Sequence, residues 1–223
     1  MSSLTTTHDR TQYKVHQVRD LSETGYVLRL DRNGLDFEPG QYISLGVSDD
    51  INMREYSVYS PVTEDFLEVL VKEVKQGHVS KLLRRLEPGQ EVKLDGPFGF
   101  FTIDESARKN SKFLFVATGT GISPFHCFAG SYPGLDYTVL HGVRTAEECY
   151  EYEAFAPERY ISCITQDERG SYHGRVTDYL REHPVDPETL CYLCGNCDMI
   201  YEAFDILIDH GVPHDHLFAE VYF

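Results

Sequence analysis

KFLFVATGTGISPF, residues 112–125, is the stretch that decides the fold. Phe113–Ala117 is an unbroken apolar run that stops at a Gly119-Thr120-Gly121 turn. A strand with one wet face would alternate, so an unbroken run suits a parallel strand buried on both faces. Pro124 follows comfortably in a first helical turn, where the N–H it lacks has no partner. Strand, glycine turn and helix predict an open parallel sheet with its ligand crevice at the strand's carboxyl end. Glycines let the backbone approach a pyrophosphate, and the helix start offers unpaired N–H donors. Pro124 stands where the full G-x-G-x-x-G fingerprint has its third glycine. On this stretch alone, a plain tight turn and a dinucleotide site are equally well served.

The rhythm continues downstream. "YTVLHGV", "ISCIT", "TLCYLCG" and "HLFAEVYF" read as strands, with helices near Ala146–Phe155, Arg175–Glu182 and Asp198–His210. Upstream the pattern differs: "YVLRLD", "QYISLGV", "EYSVYS", "FLEVLVKEV" and "QEVKLDGP" are short strands parted by turn residues, with one helix in "HVSKLLRRL". These patterns predict an antiparallel β-barrel domain over residues 1–105 and an α/β parallel-sheet domain over 106–223, the change falling within Ile103–Lys112. Internal repeats and low-complexity segments are lacking.

Composition narrows the function. A net charge of −16 excludes the basic footprint that nucleic acid requires. No apolar run approaches the roughly 18 residues of a membrane span. The opening "MSSLTTTHDRTQ" is polar and lacks a signal pattern, which predicts a cytoplasmic protein. Charge is uneven: residues 71–93 hold six Lys or Arg against three Glu, whereas 182–223 hold nine acids and neither Lys nor Arg. Read functionally, the first segment is a docking patch for an acidic protein; read plainly, it is solvated surface.

Two further stretches carry chemistry. In "REYSVYS", Arg54 supplies a charge that grips phosphate, Tyr56 a ring for stacking and Ser57 a hydroxyl. An edge strand with solvent-facing polar groups would look the same. In "LCYLCGNCDM" the spacing of Cys191, Cys194 and Cys197 suggests a metal cluster. Residues three apart on a strand face opposite ways, however, and Cys197 lies past a glycine turn at a helix start. No metal site is predicted.

With these residues in view, the chain resembles the ferredoxin–NADP reductase family of flavoproteins. Four motifs stand in the family's order: "REYSVYS" for R-x-Y-S-x-x-S/T, "GHVSKLL" for G-x-x-S at Gly77–Ser80, "GTGISP", and "LCGNCDM" for C-G-x-x-x-M at Cys194–Met199. "GPFGFF" at Gly96–Phe101 adds the familiar end of the barrel. The resemblance implies that Arg54, Gly77 and Ser80 hold the FAD pyrophosphate, that Tyr56 stacks on the flavin ring, and that Ser57 sits at its reactive edge. It implies that Thr118, Gly119, Thr120 and Gly121 form the NAD(P) loop and that Cys194 lies against the nicotinamide. Glu220 matches an active-site carboxylate, and Tyr222 or the extra Phe223 a ring that covers the flavin. Ser57, Cys194 and Glu220 are thus the expected catalytic set.

Arg144 and Arg175 match basic positions of NADP-using members. A third such position is not basic here, because Thr165-Gln166-Asp167 stands where those members have Ser/Thr-Arg-Glu. NADPH is faintly favoured over NADH. The implied function is electron transfer between NAD(P)H and a one-electron carrier, ferredoxin or flavodoxin, with residues 71–93 as the docking face. A reductase for free flavin, ferric chelates or an oxygenase partner would carry the same motifs. A flavin-binding subunit without turnover is disfavoured by the intact Ser57, Cys194 and Glu220. Family members with a C-terminal cysteine-bound cluster carry a further cysteine segment, which is not expected here.

Overall fold

The computed structural model describes residues 13–222, so Phe223 lies outside the described residues. Its first half is an antiparallel sheet of β1 (Tyr13–Asp20), β2 (Gly25–Asp31), β3 (Tyr42–Val47), β4 (Arg54–Ser57), β5 (Phe66–Lys72) and β6 (Glu91–Phe98). The order is β4-β3-β6-β1-β2-β5. The two edges meet: Val58, just past β4, bridges to Val69 in β5, and the Tyr59 N–H donates to the Glu68 carbonyl at 2.8 Å. That contact closes the sheet into the expected barrel and leaves neither edge free to pair elsewhere. Leu28, Leu30, Ile43, Leu45, Leu67 and Val69 fill its interior. Helix α1 (Val79–Arg84) adds Val79 and Leu83 to that core.

β1 has no counterpart among the expected strands, yet it lies between β6 and β2. Within it only Tyr13 and Val15 are buried, while Lys14, His16 and Gln17 are exposed, so apolar alternation is too short to see. Its pairing partners, not its own composition, hold it in the sheet.

The second sheet is entirely parallel. β7 (Lys112–Thr118), β8 (Asp136–Val143), β9 (Tyr160–Ile164), β10 (Tyr172–His173), β11 (Leu190–Asn196) and β12 (Leu217–Tyr222) take the order β10-β9-β8-β7-β11-β12. The short helix α2 (Glu105–Asn110) precedes it, and α3 (Ser123–Ser131), α4 (Val176–Glu182) and α5 (Cys197–Asp209) connect its strands. α3 stands between the halves: Phe125 and Phe128 join the core beside the parallel sheet, and Cys127 joins the barrel core.

The helix expected over Ala146–Phe155 is absent. Two three-residue 3-10 turns, Ala146–Glu148 and Tyr152–Ala154, flank Glu151 in the left-handed region at φ 45°. Glu148 and Tyr150 are both buried, and residues two apart cannot share one face of an α-helix. Burial of both side chains therefore overrides the helical tendency of the alanines and glutamates.

Candidate active site between the sheets

Ser57 ends β4 and is buried. Its hydroxyl donates to Glu220 Oε1 at 2.6 Å and accepts from the Tyr222 hydroxyl at 2.7 Å. Both partners come from β12, so a barrel serine is tied to the last strand of the parallel sheet. Cys194 in β11 is the ladder partner of Glu220, which places the two on one face of the sheet. The thiol is fully buried, and Tyr222 packs against the cluster that contains it. Burial pushes the Cys194 thiol well above its ordinary range, helped by the nearby Glu220 charge. Burial also raises the Glu220 carboxyl, opposed by the Ser57 hydrogen bond. Ser57, Cys194, Glu220 and Tyr222 thus form one constellation.

The three cysteines separate as strand geometry requires. Cys194 joins Phe115 and Tyr192 on one face of the sheet, while Cys191 joins Leu114 and Leu193 on the other. Cys197 opens α5, whose N-cap is Asn196, with its side-chain oxygen accepting from the Asp198 and Met199 N–H groups.

The glycine turn is a short 3-10 segment, Gly119–Ile122, running straight into α3 with Pro124 in its first turn. Its two glycines do different jobs. A Cβ on Gly121 would sit 2.3 Å from the Cys194 carbonyl oxygen, so this glycine is needed for packing against β11. Gly119, at φ +53°, has open space where a Cβ would lie, so its need for glycine is the left-handed backbone alone. The Thr120 carbonyl accepts from Ser123 Oγ at 2.8 Å, and Thr118 Oγ1 accepts from the Asn196 N–H at 2.9 Å.

Beside this turn, at the carboxyl ends of the parallel strands, lies a cleft of about 490 Å³. Of the residues expected to seat the nucleotide, Thr118, Gly119, Arg144 and Arg175 line it, and Thr120 and Gly121 do not. Thr165 lines it too, whereas Asp167 is turned to Arg169, which also pairs with Glu147 at 2.6 Å. Sequence reasoning missed three residues here. Lys72, at the end of β5, reaches into the cleft from the barrel; Glu148 lines its wall; and His141 lies beneath it. His141 Nε2–H donates to the Gly119 carbonyl at 2.8 Å, and Nδ1 accepts from the Tyr160 hydroxyl at 2.7 Å. Burial pulls the imidazole down to about 4, so it is neutral and holds the turn in place. A histidine inside the apolar run "TVLHGV" was the available signal.

The remaining predicted residues gather at the barrel. Arg54 is exposed on β4, its Nη1 donating to the Met53 carbonyl at 2.8 Å, and among the described residues no acid pairs with it. Tyr56 is half-buried, and burial raises its hydroxyl to about 12. Gly77 leads into α1, where a Cβ would come within 2.9 Å of Ser80 Oγ. Ser80 is buried, with Oγ accepting from the Val74 N–H at 3.3 Å. His78 at the start of α1 bonds to Asp50 in the loop that leads to β4, which joins the two segments. A guanidinium without an acidic partner among the described residues, an aromatic ring and a helix start without a side-chain cap fit a phosphate-bearing aromatic cofactor.

Comparison with known proteins agrees with this geometry. Residues 13–103 match the oxidoreductase FAD-binding domain, and residues 115–204 match the oxidoreductase NAD-binding domain. The toluate 1,2-dioxygenase electron transfer component of Pseudomonas putida is 30% identical over 227 residues, covering 94% of this chain and 66% of that protein. The chain therefore spans about two thirds of that relative's length. A ferredoxin–NADP reductase of Azotobacter vinelandii is 28% identical, with 89% of each chain covered. The fold matches a cytochrome P450 reductase of Amycolatopsis at a TM-score of 0.84 and 24% identity, covering 94% of this chain and 68% of that one. With an FAD-binding barrel, an NAD(P)-binding parallel sheet and the constellation between them, the chain belongs to the ferredoxin–NADP reductase family of flavin-dependent oxidoreductases.

Proposed function

We propose that this protein passes electrons between NAD(P)H and a one-electron protein carrier, ferredoxin or flavodoxin. The observation that carries the reading is the Ser57–Glu220 hydrogen bond of 2.6 Å, which joins the flavin half to the nucleotide half beside Cys194. When bound, FAD supplies the step between a two-electron donor and a one-electron acceptor. The chain's own residues bind, orient and exclude water. Arg54, Gly77 and Ser80 hold the pyrophosphate and Tyr56 flanks the ring. Thr118, Gly119, Thr120 and Gly121 seat the nicotinamide nucleotide, with Arg144 and Arg175 favouring NADPH. Cys194 forms the floor under the nicotinamide, and Ser57 holds a proton on Oγ between Tyr222 and Glu220. Tyr222 covers the site until nicotinamide takes its place. The work divides at residues 105 and 106, and the protein is cytoplasmic.

Residues 71–93 form the docking face in this reading, with Lys75 and Arg85 as exposed cations that pair with no acid among the described residues. Arg84 is engaged by Asp20 and Glu73, Lys81 donates to the Lys75 carbonyl, and Lys93 to the Asp50 carbonyl. A second reading, delivery of electrons to an oxygenase system, is favoured by the toluate dioxygenase relative. Anaerobic titration of the FAD-loaded protein with NADPH and NADH, followed by mixing with ferredoxin, flavodoxin, an oxygenase component and ferric chelates, separates these. Bleaching by NADPH and rapid transfer to ferredoxin or flavodoxin are expected. Failure to bleach with either nucleotide would sink the enzyme reading, and transfer to chelates alone would sink the carrier.

A further inference from the structure

Two cations from opposite halves of the molecule meet on one buried carboxylate. Glu148 is only 7% exposed, yet it lines the nucleotide cleft. Oε1 accepts from Arg144 Nη2 at 2.6 Å, and Oε2 accepts from Arg144 Nε at 3.3 Å and from the Arg144 backbone N–H at 3.1 Å. Lys72, from β5 of the barrel, places Nζ 3.6 Å from the same Oε1. Arg144 and Lys72 keep 56% and 37% of their side chains exposed, so each has donors left to offer the cleft. We propose that Glu148 is a positioning residue of the nucleotide site, holding Arg144 and Lys72 side by side as a ready-made anion clamp across the two halves.

The proposal rests on the reading that this cleft takes the nucleotide's phosphates. Two like charges do not stay close without an anion between them, and long cationic side chains lose much rotamer freedom on being fixed. Glu148 fixes them when the chain folds, so the nucleotide does not bear that loss on binding. Burial pushes the Glu148 carboxyl up, but the Arg144 hydrogen bonds and the Lys72 charge outweigh it and keep the group ionised. Arg175, which also lines the cleft, makes no ion pair with Glu148, and of the other acids in the lining Glu202 is paired with Arg181.

Glu148→Gln keeps shape and removes charge. In the FAD-loaded protein, E148Q should raise KM for NADPH tenfold or more, leave kcat at saturation within threefold, and weaken NADP+ binding measured by calorimetry to match. Lys72→Met should raise KM as well, and the double variant should fall short of the product of the two effects. An unchanged KM in E148Q overturns the proposal. So does a lower KM, which would show that the carboxylate repels the coenzyme, and so does a simple product of the two effects. If E148Q fails to retain FAD, K72M alone carries the test, with the same KM and calorimetric criteria. Arg144→Ala distinguishes the underlying reading: if it leaves KM and NADP+ binding unchanged, the cleft is not the phosphate site and the proposal falls with it. If R144A weakens both and E148Q neither, only the positioning role fails.

Discussion

Cys194 is a neutral thiol at physiological pH, because burial among aromatic rings disfavours the thiolate. Its part in turnover is therefore one of shape and contact, and replacement by serine tests that directly. C194S should slow reduction by NAD(P)H by about tenfold to a hundredfold in stopped flow while FAD content holds, a loss of roughly 1.4–2.7 kcal/mol in the barrier. C191S and C197S should turn over within about twofold of the parent, since Cys191 faces the opposite core and Cys197 starts α5. Glu220 offers a test in pH. Its folded carboxyl lies above the ordinary range, chiefly from burial, so the folded state holds this proton more tightly than the unfolded chain does. Stability from this group is full below about pH 4 and is lost as pH rises through the folded value. Glu220→Gln removes that loss: the variant should melt higher than the parent at pH 7, with the gap closing toward pH 4, while turnover drops at least tenfold. A gap independent of pH would contradict the argument. Ser57, Cys194, Glu220 and Tyr222 were legible in the sequence because each sits in a motif with fixed neighbours. Lys72 and Glu148 were not, because only the packed sheets bring the end of β5 to the wall of the cleft.

At the scale of elements, β11 serves two purposes: it carries Cys194, and its backbone is the surface on which the glycine turn rests. Gly121→Ala would put a methyl into the Cys194 carbonyl at 2.3 Å and should cost about 2–3 kcal/mol in denaturant unfolding, with NAD(P)H turnover falling in step. Gly119→Ala meets no atom and should cost only about 1–2 kcal/mol, for a left-handed backbone alone. Equal losses for the two would remove the distinction between them. The parallel strands were readable from their unbroken apolar runs, and the barrel from its short strands and turns. What escaped reading were elements held by others: β1, with two buried side chains and a sheet position set by its neighbours, and residues 146–155, where burial of Glu148 and Tyr150 breaks the helix.

Across the whole molecule, charge and core divide differently. The net charge of −16 covers a chain whose basic segment is largely engaged with its own acids and carbonyls. Arg85→Glu should therefore slow electron delivery to an acidic carrier severalfold at low salt, the effect fading as salt screens it, with ferricyanide turnover unchanged. Unaltered carrier kinetics would move the docking face elsewhere. The cores do not respect the division of labour between cofactor and nucleotide. Val27, Tyr59 and Leu70 from the barrel lie in one buried cluster with Phe115, Phe125 and Phe128, and Arg19 of β1 pairs with Glu151 at 2.7 Å. A barrel expressed without residues 106–223 would present those apolar side chains to water and clump, however well its strands pair. The two halves are separable in chemistry but not in manufacture, and calorimetry of the intact chain should record one melting event rather than two.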